Sequence, residues 1–168
     1  MRQQIAAANW KMNLGLEQAK QLVDELLATD HSMKAIGLTL IAVPFPYLLT
    51  VADRLKDKKQ IFVAAQNCAA TNNGAYTGEV SCEMLASIGI GFAIIGHSER
   101  REYFNESNAV LAEKVSLCLE NFITPIFCCG EPLSIREAGT QNEFVALQLK
   151  ESLFHLPADK ITEIVIAY

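Results

Sequence analysis

The sequence has no CxxC pair, no block of basic residues, no glycine-rich dinucleotide loop and no apolar run of membrane-spanning length. Each absence removes a class of protein. Without a Lys/Arg stripe, and with a formal net charge of -5, the chain has no electrostatic footprint for nucleic acid. The longest apolar stretch, around Ile88 to Ile95, is broken by Gly89 and Gly91 and falls far short of the ~20 residues that a spanning helix needs. The start, Met1-Arg2-Gln3-Gln4-Ile5, lacks the apolar segment of a secretory signal. The cysteines, Cys68, Cys82, Cys118, Cys128 and Cys129, are odd in number, which points to reduced thiols in a cytoplasmic protein and away from a disulfide framework or a zinc site. Linkers, low-complexity tracts and charge blocks are also missing, so residues 1–168 read as one domain.

What is present is an ordinary globular composition, 51% hydrophobic and 20% charged, laid out as alternating strand-like and helix-like segments. The strand candidates are Gln4 to Asn9, Leu38 to Val43, Ile61 to Gln66, Phe92 to Ile95, Thr124 to Cys128 and Glu163 to Ala167. Several are apolar almost throughout, as strands covered on both faces of a parallel sheet must be. Between them, Ala19, Leu22, Val23, Leu26 and Leu27 form one helical stripe, and Leu48, Val51, Ala52 and Leu55 form a second behind Pro44 and Pro46. A third helix is expected over Cys82 to Ser87, a fourth from an N-cap at Asn105 to Glu120, and a fifth carrying Val145, Leu149 and Leu153. Five βα units and a sixth strand imply a parallel α/β fold, either a doubly wound sheet or a (β/α)8 barrel. Periodicity does not choose between them. The first βα turn, Asn9-Trp10-Lys11-Met12-Asn13, has no dinucleotide fingerprint.

Polar residues that could carry chemistry stand where strands end, the edge at which parallel α/β folds bind ligands. Lys11 follows the first strand and either grips a phosphate or a developing oxyanion, or is a solvated surface lysine. Asn9 beside it either orients substrate or serves as a turn residue. His97, after the fourth strand, can act as acid or base. A helical turn beginning at Ser98 and Glu99 would present amide dipoles that favour a neutral ring; the plainer reading is a structural or exposed histidine. Glu99 either anchors Lys11 or pairs with Arg100 or Arg101 at the surface. His31 and His155 read as surface residues. Cys128, in Cys128-Cys129-Gly130-Glu131, reads as packing near the site with Glu131 in its polar surroundings.

Four strings, Asn9-Trp10-Lys11-Met12-Asn13, Gly74-Ala75-Tyr76-Thr77-Gly78-Glu79, Gly96-His97-Ser98-Glu99-Arg100-Arg101 and Cys128-Cys129-Gly130-Glu131, resemble triosephosphate isomerase motifs in order and spacing. The likeness runs from Ile5 to Tyr168. It implies a TIM barrel, present here as about six strands and five helices, and an aldose–ketose isomerase that interconverts dihydroxyacetone phosphate and glyceraldehyde 3-phosphate in glycolysis and gluconeogenesis. It implies Lys11 and Asn9 against the phosphorylated substrate and neutral His97 as the electrophile, a role for which this family is itself the standard example. Ser98, Glu99, Cys128 and Glu131 would support these groups. The loop Gly74, Ala75, Tyr76, Thr77, Gly78 and Glu79 would enter a partner subunit of a homodimer. No metal or organic cofactor is implied.

The resemblance also places the general-base glutamate immediately after an Ala-Tyr pair at the sixth strand, and Ala167-Tyr168 are the last residues of this sequence. The expectation is a C-terminally incomplete barrel, inactive by itself for want of that base. The competing expectations are another phosphosugar-binding barrel enzyme, such as an aldolase, or a folding and assembly fragment that pairs through its open strand edges.

Overall fold

Each of the six apolar runs forms a strand in the computed structural model, which describes residues 4–29 and 37–168. The strands are β1 (Gln4–Asn9), β2 (Gly37–Val43), β3 (Ile61–Ala65), β4 (Phe92–Ile95), β5 (Thr124–Cys128) and β6 (Val165–Ala167). They make one sheet in the order β1-β2-β3-β4-β5-β6, every neighbouring pair parallel. That order settles the choice the sequence left open. A doubly wound sheet reverses its strand order at a switch point, whereas a barrel adds each strand beside the one before it. The architecture is a partial TIM barrel of six parallel strands.

Alternation along the strands divides the core in two. Ile41, Val43, Ile61, Val63, Ala65, Ala93, Ile95 and Phe127 face outward and are buried against the helices. Leu40, Ala42, Ala64, Ile94 and Ile126 form a smaller cluster on the opposite, barrel-interior face. Successive residues of β2 belong to different clusters, as the two-residue repeat of a strand requires.

Three of the five expected helices are present as α1 (Leu16–Ala28), α2 (Leu48–Leu55) and α3 (Cys82–Ser87). A 3-10 turn at Phe45–Tyr47, with Pro44 and Pro46 at its entrance, leads into α2. The fourth expected helix is two: α4 (Ser98–Tyr103) and α5 (Asn108–Glu120). Asn105 is therefore not the N-cap. It takes a left-handed φ of 52° in the joint between them, a conformation that asparagine tolerates better than most residues, and Ser107 caps α5 by accepting from the Val110 N–H. The single-turn helices α6 (Leu133–Glu137) and α8 (Ala158–Ile161) flank α7 (Gln141–Leu153), the expected fifth helix. Helices this short show no stripe in sequence, which is why five were expected and eight are found among the described residues. Strand β6 starts later than expected because the Glu163 and Ile164 amides close the last turn of α8 on Lys160 and Ile161. His155 is exposed, as expected, with Nε2 3.0 Å from the Ser116 hydroxyl. His31 lies outside the described residues.

Candidate active site

The site is built on the C-terminal ends of β1, β3 and β4. Lys11 has a left-handed φ of 54°, a conformation costing a non-glycine residue on the order of 1 kcal/mol or more. Hydrogen bonds hold it there. Asn9 Oδ1 accepts the Lys11 amide at 2.9 Å, Gln66 Nε2 donates to the Lys11 carbonyl at 3.0 Å, and Asn13 Nδ2 donates to the Trp10 carbonyl at 2.8 Å. Gln66 Nε2 also reaches the Ala42 carbonyl at 3.0 Å, so the loop after β1 is tied to the end of β2 from β3. Asn9 thus shapes the Lys11 backbone through its side chain.

The Lys11 ammonium ends 2.8 Å from Glu99 Oε1. This decides between the two partners considered for Glu99: it holds Lys11, while Arg100 turns to Glu106 at 2.7 Å. Lys11 beside it holds the Glu99 carboxyl below the usual carboxylate range, with the His97 ring adding to the effect. Both partners are about half exposed, so the contact positions Lys11 more than it stabilises the fold.

His97 is the N-cap of α4, and its Nδ1 accepts the Glu99 amide at 3.3 Å. Glu99 Oε2 also lies 3.4 Å from Nδ1. Because Nδ1 uses its lone pair to accept the amide, it carries no proton to donate, and the carboxylate oxygen beside it makes no hydrogen bond with the ring. In the neutral ring this places the proton on Nε2. The strand end that carries His97 is fixed from beneath. Arg101 donates through Nε to the Gly96 carbonyl at 2.9 Å and through Nη2 to the Cys128 carbonyl at 3.1 Å, bracing β4 on β5. Gly96 has φ +74°, and a Cβ there would lie 3.0–3.2 Å from Leu111, Arg101 and the Cys128 carbonyl.

Asn9, Lys11, His97 and Glu99 line one cleft of about 670 Å³ with Gln66 and Arg100 among their neighbours. Lys11 and Arg100 are the two cations lining this cleft, the first paired with Glu99 and the second with the buried Glu106 behind it. The other support residues lie elsewhere. Ser98 begins α4 with its side chain exposed. Cys128 packs toward the interior cluster, and burial pushes its thiol up to about 11. Glu131 binds Arg136 at 2.5 Å and the Tyr168 hydroxyl at 3.1 Å. None of the three lines the cleft. The segment Gly74 to Glu79 is exposed throughout, turned by hydrogen bonds from the Tyr76 amide to the Gly74 carbonyl and from the Glu79 amide to the Tyr76 carbonyl.

Sequence reasoning missed Gln66, Asn67 and Arg100. The first two follow β3 as Lys11 follows β1, so the strand-end rule applied evenly would have found them. Arg100 escaped because a run of charges reads as a solvated helix face.

Fold and site together define a class: a parallel β/α barrel, open here at six strands, with a lysine and a histidine both in contact with one glutamate in a strand-end cleft. The family model for triosephosphate isomerase matches residues 4–168. The triosephosphate isomerases of Cytophaga hutchinsonii and Phocaeicola vulgatus are 46% and 48% identical to it over 100% of this chain and 66% of their own length. That of Amoebophilus asiaticus is 41% identical over 100% of the chain and 67% of its length. The chain belongs to the triosephosphate isomerase family, and it spans about two thirds of the length of these relatives.

Proposed function

We propose that the protein serves the interconversion of dihydroxyacetone phosphate and glyceraldehyde 3-phosphate, in the cytoplasm and as a homodimer. The observation that carries the reading is that Lys11 and His97 are both oriented by Glu99 toward one cleft. Removing a proton from the carbon beside the substrate carbonyl leaves negative charge on the carbonyl oxygen. The Lys11 ammonium and the His97 Nε2–H stabilise that charge where it develops. His97 then gives its Nε2 proton to one oxygen of the enediolate and recovers one from the other, the histidine chemistry for which this family is itself the standard example. Neither a metal nor an organic cofactor enters this scheme.

The carbon-bound proton needs a base. Glu99, the one carboxylate lining the cleft among the described residues, is committed to Lys11. We assign the base to the glutamate that follows Ala-Tyr at the sixth strand in the family, so a polypeptide of residues 1–168 binds substrate-like anions without turnover. An aldolase reading is disfavoured because Lys11 Nζ is tied to a carboxylate and is not poised as a free amine. The homodimer is supported by the exposed Gly74 to Glu79 loop and by exposed Met12, Tyr103 and Phe104 around the cleft mouth. The cytoplasmic assignment rests on five cysteines, all free.

A coupled isomerase assay tests the reading. In the protein carrying the family's base, His97→Gln and Lys11→Met each lower kcat about 100-fold or more, the scale of losing one oxyanion donor. Unchanged turnover in either variant refutes the assignment of that residue. Turnover by the 1–168 polypeptide refutes the assignment of the base.

A further inference from the structure

Three cysteines that the isomerase reading leaves unused meet at one point behind the sheet. Cys68 follows β3, Cys82 opens α3 and Cys118 lies in α5. All three are buried, and Cys118 Sγ is 3.7 Å from the sulfur of each of the others. The three sulfurs lie within 4.8 Å of one another. Zinc–thiolate bonds are about 2.3 Å long, so three sulfurs around one such ion stand about 3.8 Å apart in a tetrahedral arrangement and about 4.0 Å apart in a planar one. The two edges at Cys118 lie within a fraction of an ångström of both spacings, and the third, between Cys68 and Cys82, is no longer than 4.8 Å.

We propose that Cys68, Cys82 and Cys118 bind one divalent thiophilic d10 cation of the zinc group. Thiolates select soft cations over magnesium or calcium. Charge selects a divalent ion over a monovalent one. Three thiolates and M²⁺ carry -1, and the adjacent Arg100, Glu106 and Lys114 group carries +1. Lys114 is the cation whose field reaches Cys68 and Cys82. No other histidine, cysteine, aspartate or glutamate among the described residues joins the cluster, so the chain supplies three ligands. Binding is an exchange without redox change: three S–H bonds lose their protons to solvent and three metal–sulfur bonds form.

The test is a Cd²⁺ titration of the protein, kept reduced by a phosphine, followed by thiolate-to-metal ultraviolet absorption and by thermal unfolding. Because the cluster is buried, the ion is added both to native protein and during refolding. The expected result is one ion per chain, a raised unfolding midpoint and competition by Zn²⁺. Cys118→Ala and Cys82→Ala each weaken binding by more than about tenfold, the smallest loss seen even for outer-shell changes at metal sites. The double variant Cys128→Ser, Cys129→Ser binds as the parent does, and each variant's fold is verified by its metal-free melt. No saturable binding after refolding overturns the proposal. So does binding that survives in the folded Cys118→Ala and Cys82→Ala variants, or binding lost in the Cys128, Cys129 pair.

Discussion

Replacing Lys114 by methionine should cost about 3–4 kcal/mol of stability. Lys114 Nζ lies 2.6 Å from Glu106 Oε1 and 2.7 Å from Asn67 Oδ1, with both ionic side chains almost wholly buried. Removing one member of a buried ion pair costs about 3–5 kcal/mol, because the other charge is left without its partner. Here Glu106 keeps Arg100 at 2.7 Å, which favours the lower end. Its second oxygen is already buried without a hydrogen bond, so it has no spare contact to fall back on. Losing the donor to Asn67 Oδ1 adds about 1 kcal/mol, while the methionine stem preserves the apolar packing. For a chain of this size the total lowers the thermal midpoint by about 6–15 °C. Calorimetry and urea unfolding read it directly. The double variant with Glu106→Gln should recover about 1–3 kcal/mol relative to the sum of the single changes, since the stranded charge is gone. A loss below about 1 kcal/mol in Lys114→Met, or strict additivity in the double variant, refutes the argument that this pair is energetically buried.

Two further outcomes follow from the site. The Glu99 carboxyl titrates below the usual carboxylate range, so its contribution to stability is present above the ordinary carboxylate pKa and is lost as pH falls through the lower folded value. Carbon-13 NMR of that carboxyl should report the depressed midpoint, and Lys11→Met should raise it; a midpoint indifferent to Lys11 contradicts the pairing. Gly96→Ala should destabilise the protein by about 1–3 kcal/mol, because φ +74° and a Cβ at 3.0–3.2 Å from its neighbours strain the strand end. Its kcat loss should exceed that of a comparably destabilising core variant, because the strain lands beside His97; equal losses argue that β4 does not position the ring.

Much of this protein was readable from residue order. Apolar runs marked the six strands within about two residues, because a strand covered on both faces admits little else. Lys11, His97 and Glu99 were singled out as candidates by their place after strands; that the ends of β1 and β4, separated by two strands in the sheet, meet through Lys11 and Glu99 is a product of the tertiary fold. The division of one expected helix into α4 and α5 was not readable, since a single turn leaves no stripe and the left-handed Asn105 looks in sequence like a cap. Nor were the partners of Glu131, whose carboxylate meets Arg136 in the short helix α6 that follows it and the Tyr168 hydroxyl beyond β6.

Sequence by itself determined the βα rhythm, the family and the identity of the strand-end lysine and histidine, because these depend on local periodicity and on short strings. Tertiary structure alone decided the sequential strand order, the tautomer of His97, the buried Lys114–Glu106 pair and the meeting of Cys68, Cys82 and Cys118. The cysteines make the reason plain. Their spacing along the chain argues against a shared site, but curling the sheet carries β3, α3 and α5 to one place, and the distance between two sulfurs is set by that packing and not by the residues between them.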